Sequence, residues 1–338
     1  MISTQSEAQE TLTKSDKPTT GVVIGDPAGV GPEVVVKALA NEAIAQSARH
    51  MLIGSASVVE RALVFSGLTA TVQRIQTPEE LGEEPGVLYV LDIEGQEASE
   101  FPLGCDSVAA GHAVAGWIDT AIDFAERGVI DSFVLAPISS GSFKIAGEPS
   151  RTVSPVVGES YLTIFSGPLR VAHLTDHVPL ASVSGLIQAE LVTSALVDLD
   201  KAMQAWGMEE RRIGVSGFNP HANGPEDREE IAPGVEQAQA IGIDASGPHS
   251  PDAVFRHCVE GKYDMVLAMF HDQGHIAVKT WGFSGNCVLI LGPPYLFFSV
   301  AHGTAYDIVG TGLADPLMLQ SALETAARLA RGQGLQLA

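Results

Sequence analysis

From Gly21 onward the chain alternates short apolar runs with longer segments of helical period, and this alternation restricts the fold more than any other feature. Gly21–Ile24, Met51–Gly54, Val87–Leu91, Ser132–Ala136, Arg170–Thr175, Ile213–Ser216 and Met265–Met269 read as strands. Pro32–Leu39, about Val108 to Arg127, and Pro316–Leu329 read as helices. Strands that alternate with helices predict an α/β fold, a mostly parallel sheet with helices on both faces. Composition agrees: 45% of residues are hydrophobic and only 6% aromatic, a balance suited to strands rich in Val, Ile, Leu and Ala and buried on both faces. A chain of 338 residues is long enough for two lobes. In open sheets of this kind ligands bind beyond the carboxyl ends of the strands, so chemistry is expected at those exits.

Three exits carry a histidine. Arg170-Val-Ala-His-Leu-Thr-Asp-His177 runs into Val178-Pro179, Ile213-Gly-Val-Ser-Gly-Phe-Asn-Pro-His221 into Ala-Asn-Gly, and Met265-Val-Leu-Ala-Met-Phe-His271 into Asp-Gln-Gly. Three imidazoles at neighbouring strand ends can share one cation and leave coordination positions open, the arrangement of a catalytic metal. A lone loop histidine is more often satisfied by backbone hydrogen bonds, and both readings stand on placement alone. Asp272 and Gln273 follow His271 directly and are placed to orient it. Asp176 reads as a surface turn residue, His173 as a packing residue and His275 as a cleft-lining one, while His249 and His257 read as structural or solvated.

Two glycine-rich loops follow strand or helix boundaries. Ile24-Gly-Asp-Pro-Ala-Gly-Val-Gly-Pro-Glu33 is a tight turn into a helix, matching neither a dinucleotide fingerprint nor a phosphate loop. His302-Gly-Thr-Ala-Tyr-Asp-Ile-Val-Gly-Thr-Gly-Leu-Ala-Asp-Pro316 is richer in small residues. There His302, Gly303, Thr304, Ala305 and Gly312 would let a flat adenine approach the backbone, and Asp307 would accept from ribose hydroxyls, which favours NAD over NADP. The bland alternative is a loop that merely precedes the last helix.

The formal net charge is −22, and the 19 basic residues are scattered, so no basic stripe exists for nucleic acid. No apolar run reaches the roughly 18 residues of a membrane span. Three cysteines, Cys105, Cys258 and Cys287, are too few and too dispersed for a disulfide framework and fit a reducing cytoplasm. The N-terminal segment lacks the basic and apolar regions of a secretory signal, and its composition from Met1 to about Thr20 predicts a mobile tail.

From about Gly21 to the C-terminus the chain resembles the 4-hydroxythreonine-4-phosphate dehydrogenase family, related in fold to isocitrate and isopropylmalate dehydrogenases. The likeness is carried by Gly25-Asp-Pro-Ala-Gly-Val-Gly-Pro-Glu33, Asp176-His-Val-Pro-Leu180, Asn219-Pro-His-Ala222, His271-Asp-Gln-Gly274 with Lys279, and His302-Gly-Thr-Ala305, all in order. The resemblance implies His177, His221 and His271 as metal ligands and Lys279 as a substrate contact. It also implies a homodimer whose second subunit completes the cleft. By the same analogy residues 21–131 plus 300–338 form a nicotinamide-side lobe, and residues 132–299 a lobe for metal, substrate and dimerisation.

The sequence departs from the family where substrate is bound. An Asn and an Arg that follow the Lys by nine and eighteen residues in the family are Val288 and Phe297 here, with Asn286 near enough to substitute. A His-Thr pair falls on Glu159-Ser160, and a pair with Lys after the Pro of an earlier strand has become Ser139-Ser140. No Lys or Arg occurs between Lys279 and Arg328, which suits a phosphate dianion poorly. The expectation is an NAD-dependent dehydrogenase that oxidises a hydroxy acid with decarboxylation. It would use one divalent metal, zinc, with magnesium, manganese or cobalt as alternatives. Lys279 would serve as proton donor or carboxylate partner and Asp272 as a base. Its substrate would be a related acid or a cis-dihydrodiol carboxylate, as in terephthalate cis-dihydrodiol dehydrogenase, which shares His271-Asp-Gln-Gly-His-Ile276. The alternatives are 4-hydroxythreonine 4-phosphate itself, a metal-dependent hydrolase or lyase without nicotinamide, and a non-catalytic binding protein.

Overall fold

The computed structural model describes residues 17–148, 155–282 and 285–335. Twelve strands form one sheet: β1 (Thr19–Val23), β2 (Arg49–Ile53), β3 (Thr71–Ile75), β4 (Val87–Leu91), β5 (Ser132–Leu135), β6 (Tyr161–Ser166), β7 (Leu169–His173), β8 (Ile213–Ser216), β9 (Ala245–His249), β10 (Met265–Ala268), β11 (Cys287–Leu291) and β12 (Leu296–Ser299). Their order is β3-β4-β2-β1-β5-β12-β11-β6-β7-β10-β8-β9. The predicted α/β class and mostly parallel sheet are what the chain adopts. Central strands such as β5, β7, β8 and β10 are buried along their whole length, as a sheet covered on both faces requires.

Direction reverses in the middle of the sheet. β11 is antiparallel to both β12 and β6, and β6 is antiparallel to β7, while every other neighbouring pair is parallel. Through those three reversals the set β7, β10, β8 and β9 runs opposite to the set containing β1 and β5. The carboxyl ends of the two parallel sets therefore lie at opposite edges of one sheet. Two of the three reversals are made by tight connections: Gly167, at φ 54, joins β6 to β7, and Gly292, at φ 130, begins the β11–β12 turn. A side chain at Gly292 would also strike the Glu159 carbonyl at 2.5 Å.

The helices start where the residues allow. Ser107 caps the helix Val108–Glu126 by accepting from Ala110 N at 3.0 Å, and Pro32 and Glu33 open the helix Gly31–Leu39. One expectation needs correcting. β1 begins at Thr19, so the two threonines assigned to the mobile tail are sheet residues, because Thr19 and Thr20 pair with Arg49 and His50. The rest of that expectation, residues 1–16, falls outside the described residues. Among the described residues no single helix is long and apolar enough to cross a membrane.

Candidate metal centre

The exits of β7 and β10 are laced together beyond the sheet. Leu174 N and Thr175 Oγ1 donate to the carbonyls of Ala268 and Met269, each at 2.8 Å, and carry the next two residues alongside the start of the helix His271–Trp281. The His177 and His271 rings lie there with centroids 4.9 Å apart. Ligand atoms of Asp176, His177 and His271 all fall within 4.8 Å of one another. Nδ1 of His177 donates to Asp176 Oδ2 at 2.8 Å, and Nδ1 of His271 donates to Asp272 Oδ1 at 2.8 Å. A carboxylate can only accept, so each ring keeps its Nε2 lone pair for a cation, the tautomer that metal-binding histidines adopt. The bond to Asp176 also holds the His177 imidazole above its ordinary pKa.

Asp176 is only 5% exposed, which corrects its reading as a surface turn residue. Its Oδ1 is buried and, among the described residues, has no hydrogen-bond partner. Two imidazoles that keep Nε2 free, each oriented from Nδ1 by a carboxylate, are a donor set that a divalent cation satisfies. The residues present fit such an ion.

Two more histidines back this pair. His275 stacks on His271 with centroids 3.8 Å apart and planes 14° from parallel. Its Nδ1 lies 3.2 Å from His173 Nε2, and His173 Nδ1 donates to the Leu162 carbonyl at 2.8 Å. Burial pushes His173 down to about 4 and His275 down to about 3. Gln273 ties the neighbouring exits together, accepting from Met269 N at 2.7 Å and donating to the Gly217 carbonyl at 2.8 Å.

His221 stands apart from this set. It is exposed, at φ 58, in the loop after β8. Buried Asp227 fixes that loop by accepting from the backbone N–H groups of Phe218, Asn219 and Gly224 at 2.7, 3.2 and 2.8 Å. A histidine held in the left-handed region costs about 1–2 kcal/mol, which those three charge-assisted bonds offset.

The predicted substrate residues separate into two groups. Lys279 lies on the His271 helix two turns past His271 and one past His275, with all three spaced four apart. Glu159 and Ser160 precede β6 at the sheet edge where β7 ends, with Ser160 Oγ accepting from Val156 N at 2.8 Å. Glu159 lines a cavity of about 710 Å³ together with Asp198, Lys201, Trp206 and the β11–β12 turn. Asn286 is fully buried, its amide donating to the Gly282 carbonyl at 3.2 Å. Val288 and Phe297 are buried strand residues, and Phe297 stacks on Phe133 at 4.4 Å.

The loop expected to receive the nucleotide lies at the other sheet edge and is pinned to the first helix. Val30 N donates to the Thr304 carbonyl at 2.9 Å, and buried Glu33 accepts from Gly310 N and Gly312 N at 2.6 and 3.2 Å. Lys37 donates to the Gly312 and Ala314 carbonyls. Gly312, at φ 70, sits where a side chain would meet the Phe65 carbonyl at 2.5 Å, and Ala305 is also left-handed, at φ 42. His302 Nδ1 donates to the Gly303 carbonyl at 3.0 Å, while Gly303 and Asp307 are exposed. Under the loop, the Tyr306 hydroxyl is 3.0 Å from both Asp26 Oδ2 and Asp106 Oδ1. One hydroxyl hydrogen cannot serve two carboxylates. Burial raises the pKa of the Asp26 carboxyl and pushes Tyr306 up to about 12.

With this geometry in place, comparison with known proteins decides the family. The family model described as pyridoxal phosphate biosynthetic protein PdxA matches residues 46–326. The chain belongs to that family. A protein of Novosphingobium aromaticivorans, provisionally named 4-hydroxythreonine-4-phosphate dehydrogenase, is 54% identical over 96% of this chain and 99% of its own length. The crystal structure of a 4-hydroxythreonine-4-phosphate dehydrogenase from Burkholderia phymatum superposes with a TM-score of 0.82 at 33% identity, covering 93% of this chain and 99% of that one. A terephthalate 1,2-cis-dihydrodiol dehydrogenase from Burkholderia xenovorans LB400 gives a TM-score of 0.66 at 28% identity, covering 92% and 98%.

As a member of the PdxA family the chain is an oxidoreductase of the dehydrogenase type. Sequence reasoning overlooked three of the residues that shape its site. Asp176 is hidden by the turn residues around it, and its burial depends on how the β7 and β10 exits meet in space. Asp227 follows Asn219-Pro-His221 by six residues, a spacing that local patterns do not mark. His275 was placed at the cleft without its partner, although the repeat of histidine after four residues on one helix face was a usable signal.

Proposed function

We propose that this PdxA-family dehydrogenase uses NAD and one divalent metal to oxidise the hydroxyl of a small hydroxy acid, with loss of carbon dioxide from the resulting keto acid. The observation that carries the reading is the pair of imidazoles, each bonded through Nδ1 to a carboxylate, beside the orphaned Asp176 oxygen. When bound, the cation supplies Lewis acidity at the substrate hydroxyl and the nicotinamide supplies the hydride acceptor.

His177 and His271 hold the cation through Nε2, and Asp176 orients the His177 ring through its bond from Nδ1. His221, exposed and outside that set, becomes the third histidine when a second copy docks, in a homodimer with a shared cleft. Zinc suits the nitrogen-rich set best. Lys279, on the same helix face, pairs with the substrate's anionic group or returns a proton to the product carbon. Asp272 orients His271 rather than acting as base, because the hydrogen bond from His271 already lowers its pKa and weakens it as a base. His302, Gly303, Thr304, Ala305, Asp307 and Gly312 form the nucleotide platform, with the exposed Asp307 carboxylate selecting NAD over NADP.

Two substrate classes remain in play, each with an observation behind it. The 54% identity to a protein named for a phosphorylated substrate favours a hydroxy-acid phosphate such as 4-hydroxythreonine 4-phosphate. Burial of Val288 and Phe297 in strands, where the family's resemblance implies anion-binding side chains, favours an unphosphorylated or cis-dihydrodiol carboxylate. NADH formation, followed by absorbance over both classes with and without a chelator, tests the reading. Turnover on one class, abolished by chelation and restored by zinc, is expected. Turnover on neither class, or turnover indifferent to chelation, defeats it.

A further inference from the structure

We propose that His275 is a positioning residue for His271, holding the ring plane in which His271 offers Nε2 to the cation; the proposal rests on the metal reading above. The two cation-facing rings are tethered unequally. His177 is bonded to Asp176, whose side chain is only 5% exposed, whereas the carboxylate partner of His271, Asp272, has a side chain 73% exposed. Water competes for the latter bond, and an exposed pair of this kind restrains little. Without a second restraint the His271 ring can turn about Cβ–Cγ, which takes Nδ1 away from Asp272 and leaves its hydrogen free to move to Nε2.

That restraint is the His275 ring, 3.8 Å away and nearly parallel. It is itself fixed by a directional relay. The Leu162 carbonyl can only accept, so His173 Nδ1 carries hydrogen. His173 is 1% exposed and His275 7%, so each neutral ring carries a single hydrogen. His173 Nε2 is then an acceptor, and His275 Nδ1, 3.2 Å away, must be the donor. A strand carbonyl thereby dictates the orientation of one ring, that ring dictates the next, and the next forms the plate behind His271. Gly274 makes the relay sterically feasible, since a Cβ there would lie 2.3 Å from His173 Nε2.

The decisive experiment uses full-length protein labelled with 15N-histidine and stripped of metal, read by long-range proton–nitrogen spectra. Hydrogen on Nδ1 is expected at His173, His275 and His271, with one tautomer at each. In His275→Ala, the His271 signal is expected to become a tautomer mixture, and zinc affinity by chelator competition to fall about 10–100-fold, the usual cost of losing an orienting neighbour. His275→Phe, which keeps a flat ring, is expected to return the affinity to within about threefold of wild type. Hydrogen on His275 Nε2 in the wild type overturns the relay even if no variant folds. An unchanged His271 tautomer and zinc affinity in folded His275→Ala overturns the positioning role. If wild-type protein takes up no zinc, the metal reading fails by itself, and the His271 spectra still decide whether His275 orients it.

Discussion

The two ends of this sheet handle protons in opposite ways. Where β1, β5 and β12 end, burial raises the Asp26 carboxyl, and one tyrosine hydroxyl lies between Asp26 and Asp106. Where β7 and β10 end, burial pushes the His173 and His275 imidazoles down, toward their neutral forms. Burial does the same thing at both ends: it favours the neutral form. Residue type then decides the direction, upward for the Asp26 carboxyl under the His302–Pro316 loop and downward for the imidazoles behind the candidate cation site. One fold thus sets a buried acid under one loop and buried neutral imidazoles behind the candidate cation site.

The largest effect is expected where the cradle meets the ion. Replacing both rings, in His177→Ala with His271→Ala, should lower zinc affinity by well over ~100-fold, more than the loss of any orienting neighbour. Chelator competition measures it, and an affinity within tenfold of wild type would place the site elsewhere. Next comes Gly274→Ala, which drives a methyl group into His173 and should lower stability by roughly 2–3 kcal/mol, read from the urea midpoint. A neutral result would mean that the helix and β7 are not in close contact.

Acid sharpens the comparison further. His173 titrates near 6.5 unfolded and about 4 folded, so between those values the unfolded chain binds more protons and stability falls as pH drops. From pH 7 to pH 5 that single residue should cost about 2 kcal/mol, and His173→Asn should flatten this part of the pH–stability curve. Asp26 acts with the opposite sign, since its raised pKa contributes stability that is lost as pH rises through the folded value. The smallest effect is expected for Tyr306→Phe, about 1 kcal/mol for one part-buried hydrogen bond, with zinc affinity unchanged. A change in zinc affinity there would show that the two ends are coupled.

Much of this was legible in the sequence, for reasons that differ by region. The exits of β7, β8 and β10 were readable because an apolar run followed by turn residues is a local signal, and the His302–Pro316 loop because its glycines are. The antiparallel strands β6, β11 and β12 are less legible, although Ser166-Gly167-Pro168 between two apolar runs marks a hairpin. Without them the reversal that sends the two sets of strand ends to opposite edges was out of reach. Burial of Asp176 and Asp227, and the stacking of His275 on His271, depend on which elements meet in space. His221 reads as the equal of the other two histidines in sequence, yet within one chain it stays outside their set.

The central claim is that His177 and His271 hold a divalent cation, and diffraction from crystals grown with zinc, recorded at the zinc absorption edge, tests it most directly. The account predicts one strong anomalous peak bonded to Nε2 of both rings at about 2.0–2.1 Å. Zinc-loaded crystals with no peak between those rings, or with the peak at other histidines such as His249 and His257, would contradict it.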